Sequence, residues 1–236
     1  MAMFNKTSPR PMALTLRVLA RLLSYPDAEL RAHLGEMRDA LHGEAALSPG
    51  RLAEIDALVG RLARAPALDA EARYVDLFDR GRGTALHLFE HVHGDSRDRG
   101  PAMVDLVQTY EQAGLLLAPG ELPDHLTVVL EYASTQPPAQ AGAFLGEIAH
   151  ILQSIFSALR QRESAYASVL AALLELAGEK AQAVPLPAEA GLDESWEEPL
   201  AFDGCSTQGQ ARPGQPQPQP IRIVPRPASP PQGASP

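Results

Sequence analysis

GPAMVDLVQTYEQAGLLLAPGELPDHLTVVLEYAS, residues 100–134, carries two apolar stripes at helical spacing with a short break between them. In the first stripe Met103, Val104, Leu106, Val107, Tyr110 and Leu117 recur on one side, opposite Asp105, Gln108, Glu111 and Gln112. Pro101 suits a first helical turn, where a missing N–H costs nothing. Ala118, Pro119 and Gly120 read as the turn, and Pro123 as the start of a second helix through Leu126, Val129, Leu130 and Ala133. Val128 and Tyr132 widen that second stripe. The pattern predicts an αα-hairpin buried at the centre of the fold, with the remaining helices packed around it.

Upstream, periodicity predicts helices over 14–24, 27–41 (Leu30, Leu34, Met37, Leu41), about 49–64 and 69–78. Ser48–Pro49 reads as a cap followed by a first-turn proline, and Asp69 as the cap of the fourth helix. Residues 79–101 are rich in glycine and charge around a short helical piece, 86–92. Downstream, one long helix is expected over 140–160 and a last one from Ser164. No segment alternates with a period of two. The expected fold is all-α, a single-domain bundle of roughly seven to nine helices over residues 1–182.

Of the 22 prolines, twelve lie from Ala183 onward. Residues 183–236, which include QPQPQP at 215–220, therefore read as a Pro/Gln-rich tail that is largely disordered. Trp196 and the apolar run 199–202 could dock back onto the bundle. A single cysteine, Cys205, leaves no internal disulfide and fits a reducing cytosol. The net charge of −9 and pI near 5.2 speak against a nucleic-acid binder and favour a basic peptide or protein partner. No apolar run nears the roughly 20 residues that a membrane span needs. Arg17 and Arg21 interrupt the leucines near the start, and no cleavage site follows them, so that stretch reads as a helix of a cytoplasmic protein.

Two clusters could carry chemistry. His87-Leu88-Phe89-Glu90-His91 matches H-x-x-E-H, in which two histidines one turn apart hold a zinc ion and the glutamate is the base. The helical piece that carries it is only about two turns long, and His93 is the nearest further ligand. The zinc-hydrolase reading is kept as an alternative, and neither a metal nor another cofactor is assigned. The second cluster, Glu121-Leu122-Pro123-Asp124-His125, lies at an expected helix start, where the dipole favours the two acids and a neutral His125. Asp95-Ser96-Arg97-Asp98-Arg99 alternates in sign, as a solvated loop does.

LHLFEHVHGDSRDRGPAMVDL at 86–106, followed by ELPDHLTVVLEYAS at 121–134, resembles the NarJ family. These proteins are assembly chaperones for the molybdenum cofactor of respiratory nitrate reductase, within the wider TorD/DmsD-like group of redox-enzyme maturation proteins. The likeness covers about residues 14–180 and, weakly, 196–202. Glu121, Pro123, Asp124 and His125 match a short motif of that group, and Tyr74 with Phe78 resembles the Y-x-x-x-F that precedes it. The resemblance implies an all-helical cytoplasmic chaperone and no enzyme. Its expected partner is the apo catalytic (alpha) subunit of nitrate reductase, gripped at the N-terminal segment and held ready for molybdenum cofactor and iron–sulfur insertion before membrane docking. The chaperone is absent from the mature enzyme.

The expected peptide site comprises Tyr74, Phe78, Glu121, Pro123, Asp124, His125, Leu126 and Tyr132, with Glu121 and Asp124 facing basic groups of the partner. Each of these residues is equally well read as core, and for Phe78 and Leu126 core is the preferred reading. The family-motif loop comprises His87, Glu90, His91, His93, Arg97, Asp98 and Arg99. A generic peptide-binding helical adaptor is the other reading of the same features.

Overall fold

The computed structural model describes residues 10–92 and 97–185. Within them the chain forms eleven α-helices: α1 (Ala13–Leu22), α2 (Ala28–Ala32), α3 (Leu34–Glu44), α4 (Pro49–Arg64), α5 (Ala67–Phe78), α6 (Leu88–Val92), α7 (Arg99–Gln112), α8 (Leu126–Thr135), α9 (Pro138–Glu147), α10 (Ala149–Gln161) and α11 (Ala167–Leu176). One 3₁₀ turn, Arg82–Thr84, precedes α6. The described residues hold no strand, only an isolated bridge between His87 and His125. The all-α expectation holds. The Pro-rich tail, with Trp196 and residues 199–202, lies outside the described residues.

Two expected helices each divide in two. The helix over 27–41 breaks at His33, where α2 closes with the His33 N–H donating to the Leu30 carbonyl and α3 begins. The helix over 140–160 breaks at Ile148, and α9 and α10 meet there at a bend of 66°. Periodicity alone hides both breaks, because the apolar stripe resumes on the far side. No single helix among the described residues is long and apolar enough to cross a membrane.

The helix starts follow from local chemistry. The Asp27 side chain accepts from the Leu30 N–H at 2.7 Å and opens α2, and the Ser48 hydroxyl accepts from the Arg51 N–H at 3.4 Å to open α4. Distant carboxylates cap two helices as well. Glu44 accepts from the Leu14 and Thr15 N–H groups of α1, and Glu175 accepts from the Ser48 N–H at 2.6 Å and its hydroxyl at 3.0 Å. The cap predicted for the fourth helix is corrected: α5 starts at Ala67 after Pro66, so Asp69 lies inside the first turn.

The central pair is α1 against α8, which corrects the expected α7–α8 hairpin. Leu16, Leu19, Leu22 and Leu23 at one side meet Leu126, Val129, Leu130 and Ala133 at the other, all essentially closed to solvent. Burying each such leucine stabilises the fold by roughly 1.5–3 kcal/mol. The α10–α11 pair, which packs on α4 and α9, completes the core. By contrast, α7 buries only Tyr110, and its Val104 is 54% exposed. A helical stripe in sequence shows that a helix can bury one face; here Met103, Leu106 and Val107 on that face are only half-buried.

The end of α7 also differs from expectation. The helix closes at Gln112 in a Schellman turn: Gly114 adopts φ +79°, its N–H donates to the Glu111 carbonyl, and the Leu115 N–H donates to the Tyr110 carbonyl. Leu115–Leu117 therefore belong to a loop. Leu126, three residues later than expected, opens α8.

Candidate functional site

Asp124 is the only described carboxylate with no exposure at all. It sits where the starts of α6, α7 and α8 converge. Its backbone carbonyl accepts from the Leu88 N–H at 3.0 Å, and the Leu126 N–H donates to the Leu86 carbonyl at 2.8 Å, which stitches the His87 and His125 segments together. Its side chain then binds three groups. Oδ2 accepts from the Phe89 N–H at 3.2 Å and lies 3.7 Å from the Arg99 guanidinium, and Oδ1 lies 3.5 Å from His87 Nδ1. Arg99 also reaches Glu90 at 3.7 Å. A buried carboxylate needs such partners, since an uncompensated charge costs several kcal/mol.

The titration behaviour follows from this packing. Burial alone pushes the Asp124 carboxyl up, but the contact with His87, the Phe89 N–H and the charges of His87 and Arg99 outweigh it and hold it below the ordinary carboxylate value. The same contact with Asp124 raises His87 above the ordinary imidazole value, against the effect of its burial. His125 moves the other way, lowered by burial and then by the charge of His87, whose ring stands edge-on at 4.9 Å. His125 Nδ1 pairs with the Thr127 hydroxyl at 2.7 Å.

The histidines of the H-x-x-E-H motif face different neighbours. His87 precedes α6 and turns to Asp124, whereas His91 Nε2 lies 2.9 Å from the Ala85 carbonyl. Among the described residues no group of three or more His, Cys, Asp or Glu side chains is placed to hold a metal ion, and His93 lies outside them.

Beside this cluster a groove of about 420 Å³ runs between α1, α8 and the loop after α7. Leu115, Leu116, Leu117, Tyr110 and Tyr132 supply its apolar surface. Glu121 and Glu131 add acidic groups to its lining, and Arg17 and Arg21 of α1 add basic ones. Tyr132 stacks between Tyr110 at 5.0 Å and Phe144 at 5.3 Å, and the Tyr110 hydroxyl donates to the Pro123 carbonyl at 2.8 Å, which ties the groove to the Asp124 cluster.

The structure thus distributes the expected site residues. Pro123, Asp124 and His125 join His87, Glu90 and Arg99, while Glu121 and Tyr132 face the groove. Leu126 is core, at 0% exposure. Tyr74 and Phe78 belong to a separate ring cluster with Tyr25 and Tyr166, and the Tyr74 hydroxyl donates to the Leu23 carbonyl. Arg97 and Asp98 are exposed in the turn before α7. Glu121 and Asp124 precede α8 instead of lying in its first turn, so Asp124 serves a tertiary contact in place of a cap. Arg17 and Arg21, which interrupt the leucines of α1, also line the groove, and two arginines one turn apart are a signal legible in the sequence.

Residues 25–172 match the family model described as nitrate reductase delta subunit. The chain belongs to that family. This delta-subunit-family chain is 48% identical over 162 residues to the nitrate reductase molybdenum cofactor assembly chaperone NarJ of Escherichia coli K12, a match that spans 69% of each chain. It is 32% identical over 164 residues to the probable chaperone of the same name from Bacillus subtilis 168, covering 68% of this chain and 86% of that one. The expected NarJ kinship holds. A crystal structure of a putative redox enzyme maturation protein from Archaeoglobus fulgidus superposes with a TM-score of 0.51 at 19% identity, over 75% of this chain and 99% of that one, which shows a shared fold.

Proposed function

We propose that this chain is a dedicated assembly chaperone for respiratory nitrate reductase. It binds the apo catalytic subunit, mainly at the N-terminal segment, and keeps it open to molybdenum cofactor and iron–sulfur insertion before the subunit docks at the membrane. It acts in the cytoplasm, catalyses no reaction itself and leaves before the enzyme is complete. The names of its relatives support the class of function. The observation that carries the mode of action is the groove between α1, α8 and the α7–α8 loop, with apolar walls and two glutamates in its lining.

A segment that folds as an amphipathic helix on binding fits such a groove. Its apolar stripe meets Leu115, Leu117 and Tyr132, and its basic residues meet Glu121 and Glu131. The arginines of α1 reject basic side chains near them and fix one orientation. Charge of this kind acts on encounter rate and selectivity more than on affinity. The Asp124 cluster contributes indirectly: it holds the starts of α6, α7 and α8 together and so fixes the ridge on which Glu121 sits.

Deletion of the chain from nitrate-respiring cells tests the function. The catalytic subunit should then accumulate without molybdenum, and re-expression of the chain should restore loading. Normal molybdenum content in the deletion strain would refute the assignment.

A further inference from the structure

Helix α7, 14 residues long, buries a single residue fully. Its N-terminal end is fixed by the Arg99 contacts to Asp124 and Glu90, and its C-terminal end by Tyr110, the only residue it buries. Between these two ends Met103, Leu106 and Val107 are only half-buried, and Val104 is exposed. Val104 is 54% exposed and Leu122, facing the same side, 45%. Of the seven large hydrophobic residues most exposed among the described ones, Val104, Leu116 and Leu122 fall in this short stretch.

Met103, Val104 and Val107 of α7, with Leu122 and Pro123, line a pocket of about 430 Å³. Glu111 is the only charged residue in its lining. The pocket and the proposed peptide groove are neighbours across one ridge, 121–123. Glu121 faces the groove, Leu122 and Pro123 face the pocket, and Tyr110 lines the groove while its hydroxyl holds Pro123.

We propose that this pocket is a second subsite for the same client, taking an aromatic or long aliphatic side chain from the polypeptide that continues past the groove. This rests on the function proposed above. The pocket lies beyond the ridge that closes the groove, so a client chain leaving the groove over Glu121 meets it next. The lone Glu111 disfavours an acidic stretch and accepts a neutral or basic one. Apolar surface collected in one place and rimmed by polar side chains is the usual mark of such a contact.

The test compares two ligands on the full chain by calorimetry: the purified apo catalytic subunit, and a short peptide of its N-terminal segment that fills the groove alone. Val104→Asp and, separately, Leu122→Asp lie at exposed positions, and unchanged thermal melting confirms that each variant folds. Each should weaken the apo subunit by about tenfold or more, as loss of an anchor does, and leave the short peptide within about twofold. Unchanged affinity for the apo subunit overturns the second subsite while the groove stands. Equal weakening of both ligands also overturns it, since the pocket would then be part of the groove. Failure of the unaltered chain to bind either ligand overturns the groove and the subsite together.

Discussion

The Arg99 guanidinium lies 3.7 Å from the fully buried Asp124 carboxylate, although the two residues are 25 positions apart and stand near the starts of different helices. Arg99 begins α7, Asp124 precedes α8, and the loop that joins those helices lines the groove. The pair therefore fixes the distance between the elements that bound the proposed binding surface. Removal of Asp124 takes the acceptor from His87 and the Phe89 N–H and leaves Arg99 with Glu90.

Asp124→Ala is expected to destabilise the fold by about 3 kcal/mol, the lower end for a broken buried ion pair, because His87 and Arg99 keep partial access to water. Denaturant unfolding monitored by circular dichroism measures it. A loss of less than about 0.5 kcal/mol, the level of an exposed pair, would show that the cluster does not clamp the three helix starts.

The same contacts set the pH dependence. Asp124 is depressed in the folded chain, so its contribution is present above its unfolded value, about 3.9, and is lost as pH falls through the depressed one. His87 is raised, so its contribution is complete below about 6.5 and is lost as pH rises through the raised value. His125 is lowered and acts in the opposite sense, adding stability above about 6.5 and losing it as pH falls. In an NMR titration His87 should lose its proton at higher pH than His125, and Asp124→Asn should bring His87 back down. Equal midpoints in the unaltered chain would contradict the assigned contacts.

Two backbone positions give opposite expectations. Gly81 precedes the 3₁₀ turn that leads to His87, and a Cβ there would meet the Thr84 hydroxyl and, at 2.8 Å, the Leu77 carbonyl. Gly81→Ala should cost about 1–3 kcal/mol, as overpacking against backbone does. Ala45 closes α3 at φ +51° on the surface, so Ala45→Gly should stabilise the chain by up to about 1 kcal/mol. Thermal melting of the two variants should shift in opposite directions.

Much of this architecture is legible in the residues themselves. Leu126, Val129, Leu130 and Ala133 mark α8 as a core helix, and Ser48–Pro49 marks the start of α4. The breaks at His33 and Ile148 are not legible, because neither is a proline or a glycine and the apolar stripe continues past both. The exposure of α7 is hidden for a related reason: a stripe records an apolar face but not whether anything covers it. Glu121 and Tyr132 line one groove. Tyr74 and Phe78 join Tyr166 instead, since the partner that draws them inward lies far along the chain. Asp124 looks like a helix-start acid until the fold brings His87 and Arg99 to it.

Calorimetry of the full chain with the first few dozen residues of the catalytic subunit bears most directly on the central claim. A complex of roughly micromolar affinity or tighter is expected. Leu116→Asp, at a position 86% exposed on the groove, and Glu131→Lys in its lining should each weaken binding by about tenfold without lowering the melting temperature. Absence of binding by the unaltered chain, or an affinity that neither substitution changes, would contradict it.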